Sequence, residues 1–253
     1  MSSQTAPAPV ASDTRQRTAP AQKQPQPVRW NRLVFHSLAS AYMLASYFSL
    51  GKAMANVPVT KEMYGGDLRF LTIIAFIVTT ATMVLSALRD LAPDEMLIYV
   101  LKRMFALIAL PIEITVSAIY WPLVICAPHL MLPPKAVEGA ATNALGMDPS
   151  AALLWIPLWI DLGLHFVPAV TLIIDFFYLE VKYVPPTSTR IVMILGLFCG
   201  IGYAAWVEYT AMINGVFPYP FLDLMEPEER LYTYMGGATF AVVVFWILNA
   251  LHK

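Results

Sequence analysis

Six stretches of the chain stay apolar for about the length of a membrane span. They run over residues 33–53, 68–88, 104–126, 160–181, 191–213 and 231–251, and a helix needs about 20 apolar residues to cross a bilayer core. The fourth stretch begins at Ala151, which makes it too long for one untilted span. Pro157 interrupts it, and Trp155 and Trp159 are residue types that sit at headgroup level. Residues 151–159 are therefore expected along the membrane interface, with the helix starting near Ile160. The pattern predicts an all-α membrane protein, a six-helix transmembrane bundle over residues 28–253. No internal repeat accompanies the six runs, which argues against a transporter built from duplicated halves.

Composition narrows this further. Hydrophobic residues make up 58% of the 253 positions and charged residues 13%, with a mean hydropathy of +0.62. Soluble domains carry roughly a quarter charged residues, so neither a water-covered enzyme nor a disordered chain fits. The net charge of -1 gives no basic field for nucleic acid. Cys126 and Cys199 are too few and too far apart for a disulfide framework or a zinc pattern. Residues 1–27 hold Pro7, Pro9, Pro20, Pro25 and Pro27 among Ser, Thr, Ala and Gln, which predicts a disordered tail. Of the 16 Lys and Arg residues, 11 fall on the side of the two termini and five on the other. The positive-inside rule then puts both termini in the cytosol.

Ionisable groups inside a span are costly and default to functional hypotheses. They are Glu113, Asp161, His165, Asp175 and Glu208. His36, near the start of the first span, is expected to reach water. Asp161 and His165 are four apart and share a helix face, where a carboxylate can orient one imidazole nitrogen. Pro168 has no N–H and clashes with the carbonyl of Leu164, so a kink beside His165 is expected. Thr72, Asp161, His165 and Glu208 all fall within one or two turns of the non-cytosolic boundary. Glu113 and Asp175 lie deeper. Glue between helices is an equally good reading of Asp161 and His165 on spacing alone. No clustered ligand spacing suggests a metal, and nothing calls for a cofactor.

Three segments carry a family resemblance. MYGGDLRFLT (63–72), LGLHFVPAVTLIID (162–175) and VFPYPFLD (216–223) resemble, in order and spacing, the motifs of the androgen-induced and androgen-dependent transmembrane proteins. Members are six-helix hydrolases of fatty acid esters of hydroxy fatty acids. The resemblance spans about residues 33–251 and implies Thr72 as nucleophile and His165 as its base. It departs from the family pattern at Asp161, Leu162 and Glu208, where members carry Asn, His and a nearby His, and this puts the substrate in question.

The expected chemistry is hydrolysis of a lipid ester in the bilayer, in the endoplasmic reticulum or another endomembrane. Thr72 would attack the carbonyl while His165 takes its proton and later protonates the leaving alkoxide. Asp161 would orient His165. Backbone N–H groups near Gly65 and Gly66 are candidate oxyanion donors, and Glu208 a possible pocket-lining group. The lipid substrate and the bilayer are the expected partners. Rival readings are a non-catalytic membrane scaffold and a proton-coupled transporter; the latter requires a continuous polar path across the bundle.

Overall fold

Glycine and proline set the boundaries of the helices. Gly65 and Gly66 adopt positive φ values of 86° and 49°, a backbone that glycine alone enters without strain. They curl Gly66–Arg69 into a tight turn, and Phe70 is extended. The helix that follows therefore starts at Leu71, later than the apolar run suggests. At the other extreme, Gly215 (φ 72°) caps a long helix with its N–H on the carbonyl of Ala211. Glu226 and Glu229 form a reciprocal capping box ahead of the last helix, with Pro227 in its first turn.

The computed structural model describes residues 26–53, 63–132 and 153–253. Most of the tail at 1–27 lies outside the described residues. The helices are α1 (Trp30–Ala53), α2 (Leu71–Leu91), α3 (Met96–Cys126), α4 (Leu158–His165), α5 (Val167–Ile174), α6 (Val192–Asn214), the short α7 (Pro220–Asp223) and α8 (Pro227–Leu251). One wide turn, Asp175–Leu179, extends α5, and another, Thr187–Ile191, leads into α6. The described chain is all helical, without a strand. Among the described residues five helices are long and apolar enough to cross a membrane, and the bent pair α4 and α5 makes a sixth candidate when counted as one span.

That bend is 42° and follows from Pro168. Its missing N–H and its ring break the ladder, and Phe166 leaves helical geometry at φ −128°. The carbonyl of His165 accepts instead from Ser117 Oγ at 2.6 Å and Trp121 Nε1 at 3.2 Å, both on α3. Neighbouring side chains thus restore the hydrogen bonds that a broken span would lack in hydrocarbon. Residues 154–157 are not helical and α4 begins at Leu158, so no straight helix runs through this region. Positions 151–152 lie outside the described residues.

α1, α2, α3 and the α4–α5 pair pack into the central bundle, with Met43, Phe76, Met83, Leu110, Leu164 and Leu172 in its core. α1 meets α4 closely at Gly163, where a Cβ would sit 2.6 Å from Ser46 Cβ and 3.2 Å from Tyr42 Cε1. α6 and α8 pair with each other and lean on α3. Only 11% of the most apolar window of each is buried, against 44% for α3. That outer surface suits lipid contact. The start of α1 and the end of α8 lie at one end of the bundle, called the terminal end: Arg32 bonds the carbonyl of Leu179, and His252 that of Phe176.

Candidate active site

The hydrogen bond from Thr79 Oγ1 to Glu113 Oε1 (3.0 Å) fixes the register of the antiparallel α2–α3 pair. Seven residues back along α2 and seven forward along α3, it places Thr72 level with Tyr120. Tyr120 in turn donates to Asp161 Oδ1 at 2.6 Å, and His165 Nδ1 lies 2.8 Å from the same oxygen. Thr72, Tyr120, Asp161 and His165 therefore share one level, at the end of the bundle remote from the termini. All four are buried.

The imidazole is tightly held. Its ring stacks on Tyr120 with centroids 3.4 Å apart and planes 1° from parallel. Donation from Nδ1–H to the Asp161 carboxylate leaves Nε2 as the acceptor of a neutral ring. Nε2 has no hydrogen-bond partner among the described residues. Tyr120 was missed on the sequence. Its signal was the Ser117, Tyr120, Trp121 spacing, which puts three polar tips on one face of α3, all of them engaged with α4.

Thr72 is in the first turn of α2, where backbone N–H groups lack helical partners. Two phenols fill that role. The Leu71 N–H donates to Tyr203 Oη at 3.2 Å, and Tyr203 donates to the Arg69 carbonyl at 3.3 Å. Tyr219, from the segment before α7, brings its phenol beside Thr72 and Tyr203 on the same cavity wall. Burial pushes the Tyr219 phenol above its ordinary pKa, so it stays protonated.

A cavity of about 160 Å³ opens beside this cluster. Thr72, Tyr120, Tyr203 and Tyr219 line its polar end, and Leu107, Ile112, Val192 and Leu195 its apolar length. His165 does not itself line the cavity; it stands one ring behind Tyr120. Among the described residues no hydrogen bond joins Thr72 to His165, and the phenol beside the Thr72 hydroxyl is that of Tyr219.

The remaining sequence candidates lie elsewhere. Glu208 does not line the cavity; it clamps Arg230 through Nε at 2.8 Å and Nη2 at 3.2 Å, and accepts from Tyr234 at 3.0 Å, tying α6 to α8. The Gly66 N–H is spent on the Met63 carbonyl, and neither Gly65 nor Gly66 borders the cavity. The donors of this region without a helical carbonyl are the N–H groups of Leu71, which Tyr203 holds, and Thr72. Among the described residues no group of His, Cys, Asp and Glu side chains is arranged to hold a metal ion.

His36 departs most from expectation. It does not reach water but is 2% exposed, with Nδ1 at 2.6 Å from Asp90 and Nε2 at 3.0 Å from Asp175. Lys102 binds Asp175 at 2.7 Å and also Glu180, which Arg89 and Arg103 hold at 2.9 and 3.0 Å. This network lies at the terminal end and ties α1, α2, α3 and the turn after α5 together. Asp90, Arg89, Lys102 and Arg103 flank the spans in sequence and Glu180 is the last residue but one of the fourth, so reading each span alone concealed the network.

The FAR-17a/AIG1-like protein family model matches residues 31–253, which covers every described helix except the first residue of α1. The chain belongs to this family. Among similar proteins is a UPF0641 membrane protein of Schizosaccharomyces pombe, 25% identical over 226 residues, covering 88% of this chain and 91% of the relative. The androgen-induced gene 1 protein of Homo sapiens is 23% identical over 206 residues, 74% and 76% of the two chains. No solved structure matches. With its long apolar helices and a relative named as a membrane protein, the chain is a multi-pass membrane protein. The match includes all three motif segments, and with them Thr72, His165 and Tyr219.

Proposed function

We propose that the protein hydrolyses lipid esters within the membrane, with Thr72 as nucleophile and His165 as general base. The observation that carries this reading is the Asp161–His165–Tyr120 arrangement. It fixes the imidazole with Nε2 free to accept a proton, level with a threonine on the wall of an apolar cavity. A histidine serving only as glue would engage both ring nitrogens, as His36 does.

The reaction follows from these parts. The Thr72 hydroxyl exchanges its Tyr219 contact for His165 Nε2, loses its proton to it, and bonds to the ester carbonyl carbon. The carbonyl π pair moves to oxygen, and the N–H groups at the start of α2, together with the neutral Tyr219 phenol, are placed to receive that charge. Collapse expels the alkoxide, which takes the proton from His165. Water then repeats the sequence on the acyl-threonine and regenerates Thr72. Fatty acid esters of hydroxy fatty acids are the first substrates to test, because the motif resemblance implies them.

The transporter alternative requires a continuous polar path. Among the described residues Glu113, midway along the bundle, bonds only Thr79, its Oε2 has no partner, and no hydrogen-bonded chain joins it to the clusters at either end, which favours the hydrolase. The test is a panel of lipid esters presented to the purified full chain in lipid nanodiscs. Wild type should turn over, Thr72→Ser should retain activity, and Thr72→Ala and His165→Ala should be folded with activity reduced by about 10³-fold or more. Activity retained by both alanine variants removes the mechanism.

A further inference from the structure

The cavity is long in one direction and closed at one end, and this bears on what the site accepts. Along α3 its lining runs from Tyr120 to Leu107, 13 residues, or about 20 Å at about 1.5 Å per residue. The tyrosines Tyr120, Tyr203 and Tyr219 stand with Thr72 at the Tyr120 end, and the Thr115 hydroxyl, part-way along, is spent on the Pro111 carbonyl. The other end is shut by Leu107 and Val192, which are 3% and 4% exposed and pack in one cluster with Tyr183 and Phe245. This floor is stiff. Asn249 clamps the backbone of Tyr183 through two hydrogen bonds of 3.1 and 3.0 Å, and the Arg103 guanidinium lies 3.9 Å over its ring. Phe245 packs edge-on against the same ring.

We propose that this cavity is a measuring slot for a linear acyl chain, whose closed end sets the longest chain accepted. The proposal rests on the hydrolase reading for one point only, the position of the ester carbonyl at Thr72. Extended C–C bonds of about 1.5 Å advance roughly 1.25 Å per carbon. A slot about 20 Å deep therefore holds about 16 carbons beyond Thr72. Longer chains must bend against Leu107 and Val192 or leave the ester short of the threonine.

α8 supplies the means to shorten the slot without disturbing its polar end. Gly237 and Ala241 both line it, one helical turn apart, with Ala241 nearer the floor. A Cβ added at Gly237 meets nothing within 4 Å, and the residue is in ordinary helical geometry. A side chain placed there enters open space. Each turn is about 5.4 Å, or about four carbons of chain.

The experiment measures two things on the full chain in nanodiscs. One is hydrolysis of para-nitrophenyl esters of saturated acids from about 8 to about 20 carbons. The other is thermal stabilisation by the free acids of the same lengths. Wild type should show an upper limit near 16 carbons in both. Ala241→Leu should lower the limit by about four carbons and Gly237→Leu by about eight. A limit that stays fixed in both variants, or falls further in Ala241→Leu than in Gly237→Leu, overturns the slot. If the acids bind with the graded limit while wild type hydrolyses no ester, the slot stands and the hydrolase reading falls. Ester hydrolysis with no length limit leaves the hydrolase standing and removes the slot.

Discussion

Replacing Asp161 by asparagine tests how the histidine is held. In this site Asp161 Oδ1 accepts from two donors, Tyr120 Oη and His165 Nδ1. An asparagine carbonyl oxygen can keep both bonds, whereas its NH₂ group would face two donors if the amide flipped. The phenol thus pins the amide in the orientation that preserves the Nδ1–H tautomer. What is lost is the charge. Hydrogen bonds to ionised groups contribute about 1.5–3 kcal/mol against about 1 for neutral ones, so support for the imidazolium formed during attack weakens by about 1–2 kcal/mol. At about 1.4 kcal/mol per decade this lowers kcat by about 5- to 30-fold. Asp161→Ala removes the acceptor and leaves the buried Tyr120 phenol unpartnered, and should cost about 10³-fold or more. Tyr120→Phe alone should cost less than about tenfold. Combined with Asp161→Asn it frees the amide to select the wrong tautomer, and the loss should approach about 10⁴-fold. The excess of the double variant over the product of the two single effects is the measured quantity. It is read from kcat on a short para-nitrophenyl ester in nanodiscs. Equal losses in Asp161→Asn and Asp161→Ala, or a double variant that merely multiplies the single effects, would refute this account of the pin.

Three further outcomes concern the scaffold. Lys102→Met leaves the buried Asp175 carboxylate with His36 but no fixed cation and removes one contact of Glu180, and should destabilise the fold by about 3–5 kcal/mol, visible as a thermal midpoint lower by about 10 °C; an unchanged midpoint contradicts the tie. Gly163→Ala should cost about 1–3 kcal/mol by forcing α1 and α4 apart, and Ser46→Gly in the same chain should recover most of it, since Ser46 supplies the nearest atoms. Glu208→Gln should change stability by less than about 1 kcal/mol because the pair is partly exposed; a loss of kcat beyond about threefold would return Glu208 to the catalytic site.

The spans were legible because each carries its own evidence. Twenty apolar residues declare a membrane helix whatever the neighbours are, and Pro168 declares its bend. The start of α2 was misread by three residues, because Leu68 and Phe70 look like helix while Gly65 and Gly66 impose a turn. That shift matters chemically, since it moves Thr72 into the first turn, where the leading N–H groups have no helical carbonyl to bond. Asp161 and His165 were legible as a pair because they are one turn apart on a single helix. Tyr120, Tyr203 and Tyr219 reach the site from α3, α6 and the segment before α7, and no local pattern joins them. His36 was misjudged for the same reason. Its two carboxylates come from α2 and the end of α5, and the approach of those elements exists only in three dimensions.

The two polar clusters show why buried charge alone does not locate chemistry. At the terminal end, His36 spends both ring nitrogens, Lys102 bridges two carboxylates, and Glu180 accepts from three cations. Any substrate contact there would first have to break bonds whose loss leaves a charge stranded in hydrocarbon. At the opposite end His165 is held as firmly but through one nitrogen only, and the donors at the start of α2 are capped by phenols instead of carboxylates. A neutral phenol can be displaced by an ester carbonyl without stranding a charge, and a free Nε2 can take a proton without losing a partner. The same residue type thus serves two ends. Where its bonds are complete it ties helices together, and where one acceptor is left open beside an apolar slot it is equipped to move a proton.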